Sequence, residues 1–412
     1  MIKYYYLIVL LITFSTELNA QIFENRFEKL TVKQGLPSSN IFEVVQDKKG
    51  FLWIGTSKGL VRFDGIGLKM FPIPSEKLFL DNEGILWIKS RKNALVYMDP
   101  ESFVYHEVEN FKLPVTGISQ TADGNILLPV IDGNIYKYDK TTGEVKYFVN
   151  VGQKIIGNSQ VVKENHGATI YVALGSLGLM ELDLKTGKKN IIPLPASKDK
   201  AMPTIQTILV SDSIVYVAGN SFFKYNSRSK KIYEIPEVSR LIENTGQANN
   251  LINDKEGNVW IGTGKGLINY NPANGNIFKF ISLDTDSKSL SSDNISSLFL
   301  DKSNILWIST IKGGLNKLDL NAKRFKVLMV NKNKSDSPSG NFVSGIYADS
   351  KDNVWIVTAN KTLTRWIRNE DRLISYNQQS GFKANSDLAF VTGDSLGNIW
   401  IGPWLWTLHK AT

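Results

Sequence analysis

The chain contains no cysteine in its 412 residues, and only three histidines, His106, His166 and His409. Without cysteine there can be no disulfide, no thiolate metal site and no thiol nucleophile. Whatever closes the fold must do so through backbone hydrogen bonds and packing. Three scattered histidines also leave little material for a general base with a partner cluster. Long apolar runs are scarce: the longest, Tyr4 to Phe14, is far short of the roughly twenty residues a membrane span needs. No stripe of Lys and Arg with interleaved aromatics occurs, so no nucleic-acid partner is expected. The net charge of +9 instead comes from lysines scattered through turns, among them Lys48, Lys49, Lys58, Lys255, Lys265, Lys302 and Lys312. They are expected to be solvated, with a preference for anionic ligands such as acidic glycans as the sharper alternative. No metal-ligand spacing, nucleophile elbow, phosphate loop or dinucleotide fingerprint is found, and neither a metal, a cofactor nor a catalytic residue is assigned. GTGKG at Gly262 to Gly266 lacks the phosphate-loop spacing and reads as a turn.

The first twenty residues, MIKYYYLIVLLITFSTELNA, have the form of a secretory signal. Lys3 supplies the positive start, Tyr4 to Phe14 the apolar stretch, and Ala20 ends a small-residue cleavage site. Residue Gln21 follows where a lipoprotein would need cysteine. Export to a periplasm, with cleavage near Ala20, is the expectation.

What the chain does have is a period. A turn signal followed by a hydrophobic pair and an aromatic ends at Trp53, Trp87, Trp260, Trp307, Trp355 and Trp400, with weaker copies at Tyr171 and Tyr216. A ninth copy, ADGNILL, puts Leu127 at the aromatic position. Successive anchors lie 34, 40, 44, 45, 44, 47, 48 and 45 residues apart. A period in the forties, with short alternating runs and glycine turns, is that of β-propeller blades. In the unit from Arg26 to Gly65, IFEVVQD is a half-buried strand and Asp47-Lys48-Lys49-Gly50 a tight turn. FLWIGT is a deeper strand, GLVRFD a third, and Leu68 to Ile73 holds the outer fourth. The tryptophans read as packing residues between neighbouring sheets, each needing one partner for its indole N–H. Polar loops at Gly35 to Asn40, Leu290 to Asn294 and Ser337 to Asn341 lead into innermost strands and are expected on one rim, where recognition is usually placed. The fold class is therefore all-β. It is a seven-bladed β-propeller of four-stranded antiparallel blades from about Glu24 to Val330, plus the first two blades of an incomplete second propeller in 331–412. The N-terminal segment Phe27 to Thr31 matches the outer-strand segments and is expected to pair into the last blade, removing exposed edges.

At GLPSSNIFEVVQDKKGFLWIGTSKGLVRFDG, Gly35 to Gly65, the chain resembles the two-component regulator propeller repeat. The resemblance implies the extracytoplasmic sensor region of a hybrid two-component histidine kinase, with an oligosaccharide ligand and a homodimer formed through the sensor region. In that family two seven-bladed propellers precede a β-sandwich, a membrane helix and the kinase, which puts full-length relatives in the inner membrane. This chain has no phosphoacceptor block, ATP lid or second apolar span before Thr412. It reads as a sensor region cut short, reaching the membrane only through a segment not in the sequence. Two other readings stay open: a secreted propeller lyase of the streptogramin-lyase type, and a protein-interaction propeller. Neither His106 nor His166 has sequence neighbours that would make it a base. A sialidase-like hydrolase is disfavoured by the Asp-to-Trp spacing of six positions, longer than its Asp-box turn needs.

Two repeats alone leave a sheet face and an edge uncovered, and repeats need neighbours to bury their core. Limited proteolysis is expected to cut first between Asn331 and Asn341 and release a stable N-terminal core. Initial cutting between Trp53 and Trp307 would refute that boundary.

Overall fold

The computed structural model describes residues 27–90, 92–109, 111–152, 154–155, 162–163, 169–195, 202–321, 342–358, 362–370, 372–376, 387–403 and 409–411. The signal segment, His166, the outer-strand candidate at 325–329 and the linker 331–341 lie outside them. The chain divides into two units, Met1–Asn321 and Ala322–Thr412.

Sheet 1 shows how the sequence makes its unit. Its strands are Ile41–Gln46, Leu52–Thr56, Gly59–Phe63 and Leu68–Phe71, paired antiparallel in that order. The inner strand buries Ile41 and Val44, three residues apart because the pairing shifts register after Ile41, while every residue of Leu52–Thr56 is buried. The glycine opening the third strand is compelled: at Gly59, Gly266 and Gly314, φ is positive. A Cβ at each would stand 2.6 Å from an outer-strand carbonyl, Phe71 O, Phe280 O or Leu30 O respectively.

Six further four-stranded sheets follow in the first unit among the described residues, spanning Ser75–Glu107, Ser119–Asn150, Val162–Ile192, Ile205–Glu234, Ala248–Phe280 and Ile295–Asp319. The seventh takes its fourth strand from the other end of the unit. Glu28–Leu30 pairs antiparallel with Leu315–Lys317. One helix, Pro236–Thr245, bridges sheets 5 and 6 and buries Val238 and Ile242.

Seven apolar clusters sit between consecutive sheets, each built around an anchor. Trp53 packs with Leu78 and Ile88 of sheet 2, Trp87 with Ile126 and Leu128 of sheet 3, and Leu127 with Ile170 and Val172 of sheet 4. Tyr171, Tyr216 and Trp260 do the same onto sheets 5, 6 and 7. Trp307 then packs on Ile41, Val44 and Ile54 of sheet 1, so the series returns to its start.

One hydrogen-bond pattern recurs wherever the full motif occurs. The aspartate six residues before each tryptophan accepts the indole N–H on Oδ2, at 2.8–2.9 Å for Asp47–Trp53, Asp81–Trp87, Asp254–Trp260, Asp301–Trp307, Asp349–Trp355 and Asp394–Trp400. Its Oδ1 accepts the backbone N–H four residues on, as in Phe51 to Asp47 and Asn258 to Asp254, both at 2.9 Å. The partner each indole needed is thus the residue that also makes the turn.

Sheets 3 to 5, where the motif decays, substitute other polar links. Lys140 of sheet 3 reaches back to Asp81 Oδ2 at 2.5 Å and also to Glu83 of sheet 2. Glu181 of sheet 4, opposite Tyr171, accepts from Tyr225 OH at 2.8 Å and from Lys230 at 2.9 Å across the junction with sheet 5. Burial pushes the Glu181 carboxyl up, but Lys230, Asn190 and Tyr225 outweigh it and hold it below its ordinary value.

The turn lysines require a correction to the expectation that all are solvated. Lys255 Nζ donates to Lys302 O at 3.3 Å, Lys302 Nζ to Asp47 O at 3.0 Å, and Lys48 Nζ to Glu83 O at 2.6 Å. Each bond runs from one aspartate turn to the next, and the middle one crosses from sheet 7 to sheet 1. These lysines are staples between sheets.

The second unit holds a four-stranded sheet, Val343–Tyr376, and a three-stranded one, Leu388–Ala411, among the described residues. In the first of these, Val343 and Ile346 take the register of Ile41 and Val44. They are 47% and 65% exposed, against 0% and 2% for their counterparts.

Removing the ring of Trp260 should leave a cavity and take from Asp254 Oδ2 its indole donor, leaving it the Asn258 side chain. Trp260→Ala is expected to cost about 3–5 kcal/mol, whereas Lys58→Ala, at an exposed turn, should change stability by no more than about 0.5 kcal/mol. Equal urea midpoints for the two variants would refute the anchor role. A second prediction concerns acid. Burial raises the Asp349 carboxyl, but the Trp355 indole, the Asn353 side chain and two backbone N–H groups bring it down to about 2, from 3.8. A depressed carboxyl contributes stability that is present above its unfolded value and is lost as pH falls through the folded one. The melting-temperature deficit of Asp349→Asn should therefore be full above pH about 4 and close as pH falls to about 2. A pH-independent deficit would exclude this linkage.

Candidate functional site: the lead-in rim and the inner strands

The loops that lead into inner strands meet the turns between second and third strands on one rim. Before sheet 1, Asn40 O accepts Ser57 N–H at 3.4 Å and Asn40 Oδ1 accepts Lys312 N–H at 2.9 Å, while Ser39 O accepts Gly314 N–H at 2.9 Å. Before sheet 7, Asp293 O accepts Gly266 N–H at 2.8 Å and Asn294 O accepts Ile311 N–H at 2.9 Å. Each loop is clamped between the turn of its own sheet and that of the sheet before it. Hydroxyls complete the clamp: Ser38 Oγ lies 2.7 Å from Ser57 Oγ, and Ser292 Oγ donates to Ile311 O at 2.9 Å. The third loop expected here, Ser337 to Asn341, lies outside the described residues.

The turns themselves are copies of one another. Thr56, Thr263 and Thr310 each donate a side-chain hydrogen bond of 2.7 Å to the carbonyl of the glycine that opens the next strand. Lys58, Lys265 and Lys312 occupy the exposed apices. GTGKG is confirmed as one of these turns, with Thr263 and Gly266 closing it.

The inner strands carry a feature that the sequence reading missed. A β-bulge follows the first residue of the inner strand in sheets 1, 2, 5, 6 and 7, and in both sheets of the second unit. In sheets 5, 6 and 7 and in the first sheet of the second unit, the bulged residue aims its side chain at the next sheet. Gln206 Nε2 donates to Ala248 O at 3.2 Å, Asn249 Nδ2 to Ile295 O at 3.1 Å, and Ser296 Oγ to Ile41 O at 2.5 Å. In the second unit Ser344 Oγ donates to Leu388 O at 2.6 Å. The acceptor is always the residue that opens the neighbouring inner strand. A polar residue directly after the apolar one that opens the strand was the available signal at Gln206, Asn249, Ser296 and Ser344; Phe42 and Ala389 at the same position do not carry it.

Sheets 1 and 2 depart from this neutral pattern. Glu43 Oε2 accepts Leu78 N–H of sheet 2 at 2.8 Å, and Glu76 pairs with Lys89. Burial pushes the Glu43 carboxyl above its ordinary value, with Lys77 and the Leu78 N–H opposing only in part. The inner strands therefore present charge at sheets 1 and 2, and amides and hydroxyls at sheets 5 to 7.

The histidines do not converge here. His106 is exposed on the outermost strand of sheet 2, Tyr105–Glu107, with its ring 5.3 Å from Tyr97. His409 lies in the strand His409–Ala411 of the second unit. Among the described residues, no group of three or more His, Asp or Glu is placed to hold a metal ion, and no helix is long and apolar enough to cross a membrane.

Comparison with known proteins bears on what this arrangement serves. The sequence profile described as the two component regulator propeller matches residues 35–58 and 289–312, the lead-in loops and first hairpins of sheets 1 and 7. No curated protein matches the chain. Among solved structures, the extracellular domain assigned to a hybrid two-component system of B. thetaiotaomicron is similar over 94% of this chain and 53% of its own length, at 19% identity and a TM-score of 0.68. An extracellular domain assigned to a one-component system of the same bacterium covers the same shares at 19% identity, with a TM-score of 0.60. The chain thus spans about half the length of the structures it matches. It joins two stretches similar to the two component regulator propeller profile, 35–58 and 289–312, to an all-β fold similar to that of those extracellular domains.

Proposed function

We propose that this chain is a periplasmic ligand-recognition propeller of a hybrid two-component signalling protein, acting by binding and not by chemistry. The observation that carries the reading is the profile match on both sides of the junction between sheets 7 and 1, in a fold shared with extracellular domains of signalling systems. In this reading the first seven sheets form one seven-bladed ring, and residues 331–412 are blades of a second. Oligosaccharides are the ligand class, a homodimer forms through the sensor region, and a kinase acts beyond the membrane. The neutral amides and hydroxyls on the inner strands of sheets 5 to 7 suit polyhydroxyl ligands, which bind through convergent hydrogen bonds.

The purified mature chain is expected to bind members of a panel of neutral and acidic oligosaccharides in calorimetric titration, weakly if a rim buries little of each ligand. The same panel should show no turnover. Catalysis abolished by His106→Ala would overturn the reading in favour of a lyase.

A further inference from the structure

The lysines of this chain sort onto two ends of the same strands. At the aspartate turns, before the second strand, Lys48, Lys255 and Lys302 are spent on carbonyls of the neighbouring sheet. At the opposite end stand Lys58, Lys265 and Lys312, all exposed. Among the described residues, none of these three ammonium groups has an ion pair or a hydrogen bond. They are also neighbours. The backbones flanking Lys58 and Lys312 both bond to Asn40, and those flanking Lys265 and Lys312 bond to the adjacent residues Asp293 and Asn294. Sheets 6, 7 and 1 therefore carry three free cations in one arc, held in step by shared hydrogen bonds and by the same threonine-closed turn.

Other charges stand in the segment that leads into sheet 7. Asp284, Asp286 and Asp293 lie in the loop before sheet 7, with Lys288 beside them. Two of the three carboxylates are engaged: Asp286 Oδ1 accepts Lys288 N–H at 2.8 Å, and Asp293 Oδ1 accepts Ser282 N–H at 2.5 Å. A backbone N–H does not cancel a carboxylate's charge, so Lys58, Lys265, Lys312 and Lys288 against these three carboxylates leave the arc with one net positive charge, bordered by the hydroxyls of Ser38, Ser57, Ser291 and Ser292. Elsewhere on the rim the same turn position carries Lys92 in sheet 2, which prolongs the arc, but Asp132 in sheet 3 and Leu177 in sheet 4, all three exposed. The cationic character belongs to one side.

We infer that the arc of Lys265, Lys312 and Lys58 is a binding site for a linear acidic oligosaccharide, whose carboxylates or sulfates recur along the chain as the lysines recur from sheet to sheet. Lysine suits this task because it meets anions as a mobile point charge and needs no fixed fork geometry. The surrounding hydroxyls supply hydrogen bonds to sugar oxygens, and no aromatic platform for nucleobases stands among them. This inference rests on the recognition reading above and narrows its ligand class.

The test titrates the mature chain calorimetrically with a heparin hexasaccharide and with maltohexaose, at about 50 and about 300 mM NaCl. The heparin fragment should bind, and weaken strongly at the higher salt. Lys58→Gln, Lys265→Gln and Lys312→Gln should each weaken it roughly two- to fivefold, and the triple variant more than tenfold, in line with exposed charge contacts. An unchanged thermal melt would show that the variants are folded. Lys224→Gln, on a third strand and away from the rim, should leave the affinity unchanged. Heparin binding that ignores the triple substitution overturns the site while leaving the recognition reading intact, as would binding of maltohexaose alone. Phosphatidylglycerol vesicles that bind in a Lys58-, Lys265- and Lys312-dependent way while the hexasaccharide does not would make the arc a membrane contact and overturn it equally.

Discussion

The structure depends on one carboxylate per repeat, buried in the four copies of the first unit and half-buried in the two of the second, that serves two masters at once. In six repeats an aspartate closes a turn with one oxygen and fixes a tryptophan indole with the other. The first bond is local and decides the conformation of a hairpin. The second aims an aromatic ring into the neighbouring sheet, where packing is worth several kcal/mol. Coupling the two means that a sheet cannot form its turn correctly without also presenting its anchor correctly. Hydrogen bonds to an ionised acceptor are roughly twice as strong as neutral ones, which suits a chain with no covalent cross-link.

Much of this was legible in the sequence, and the reason is periodicity. Spacing alone located every anchor and the strand that bears it, because the hydrophobic pattern and turn residues are local signals. The pairing of Glu28–Leu30 with the last sheet could also be read, since an outer strand has a recognisable polar alternation. What escaped is what crosses between sheets. The aspartate was recognised as a turn former, and its bond to the indole six residues away was not. The bulged residues Gln206, Asn249 and Ser296 look like ordinary strand polar residues until a neighbouring inner strand stands beside them. Lys140 and Glu181 are invisible for the same reason: their partners lie tens of residues away.

The candidate site was legible only in outline. The rim loops were found as repeated Ser/Asn segments, yet their clamps to the turns on either side are long-range backbone bonds that no pattern encodes. The lysines were counted but not sorted. Position relative to the second strand decides their role, because one end faces carbonyls of the adjacent sheet and the other faces only water. The decayed sheets 3 to 5 differ in both respects, with substitute polar links at the anchors and no lysine at the rim apices.

The strand Glu28–Leu30 carries a consequence for how the molecule is made. Its ion pair to Lys317 joins residues 289 positions apart in sequence. The segment synthesised first therefore stays unpaired until almost the entire first unit exists. Such closure pays its loop entropy before any contact rewards it, and folds dominated by distant pairings form slowly. For the export proposed above, along a route that threads the chain unfolded, a late final pairing is suited: the unit cannot lock before its last sheet has emerged. Meanwhile the lysines and glutamates along the waiting edges discourage pairing with other chains.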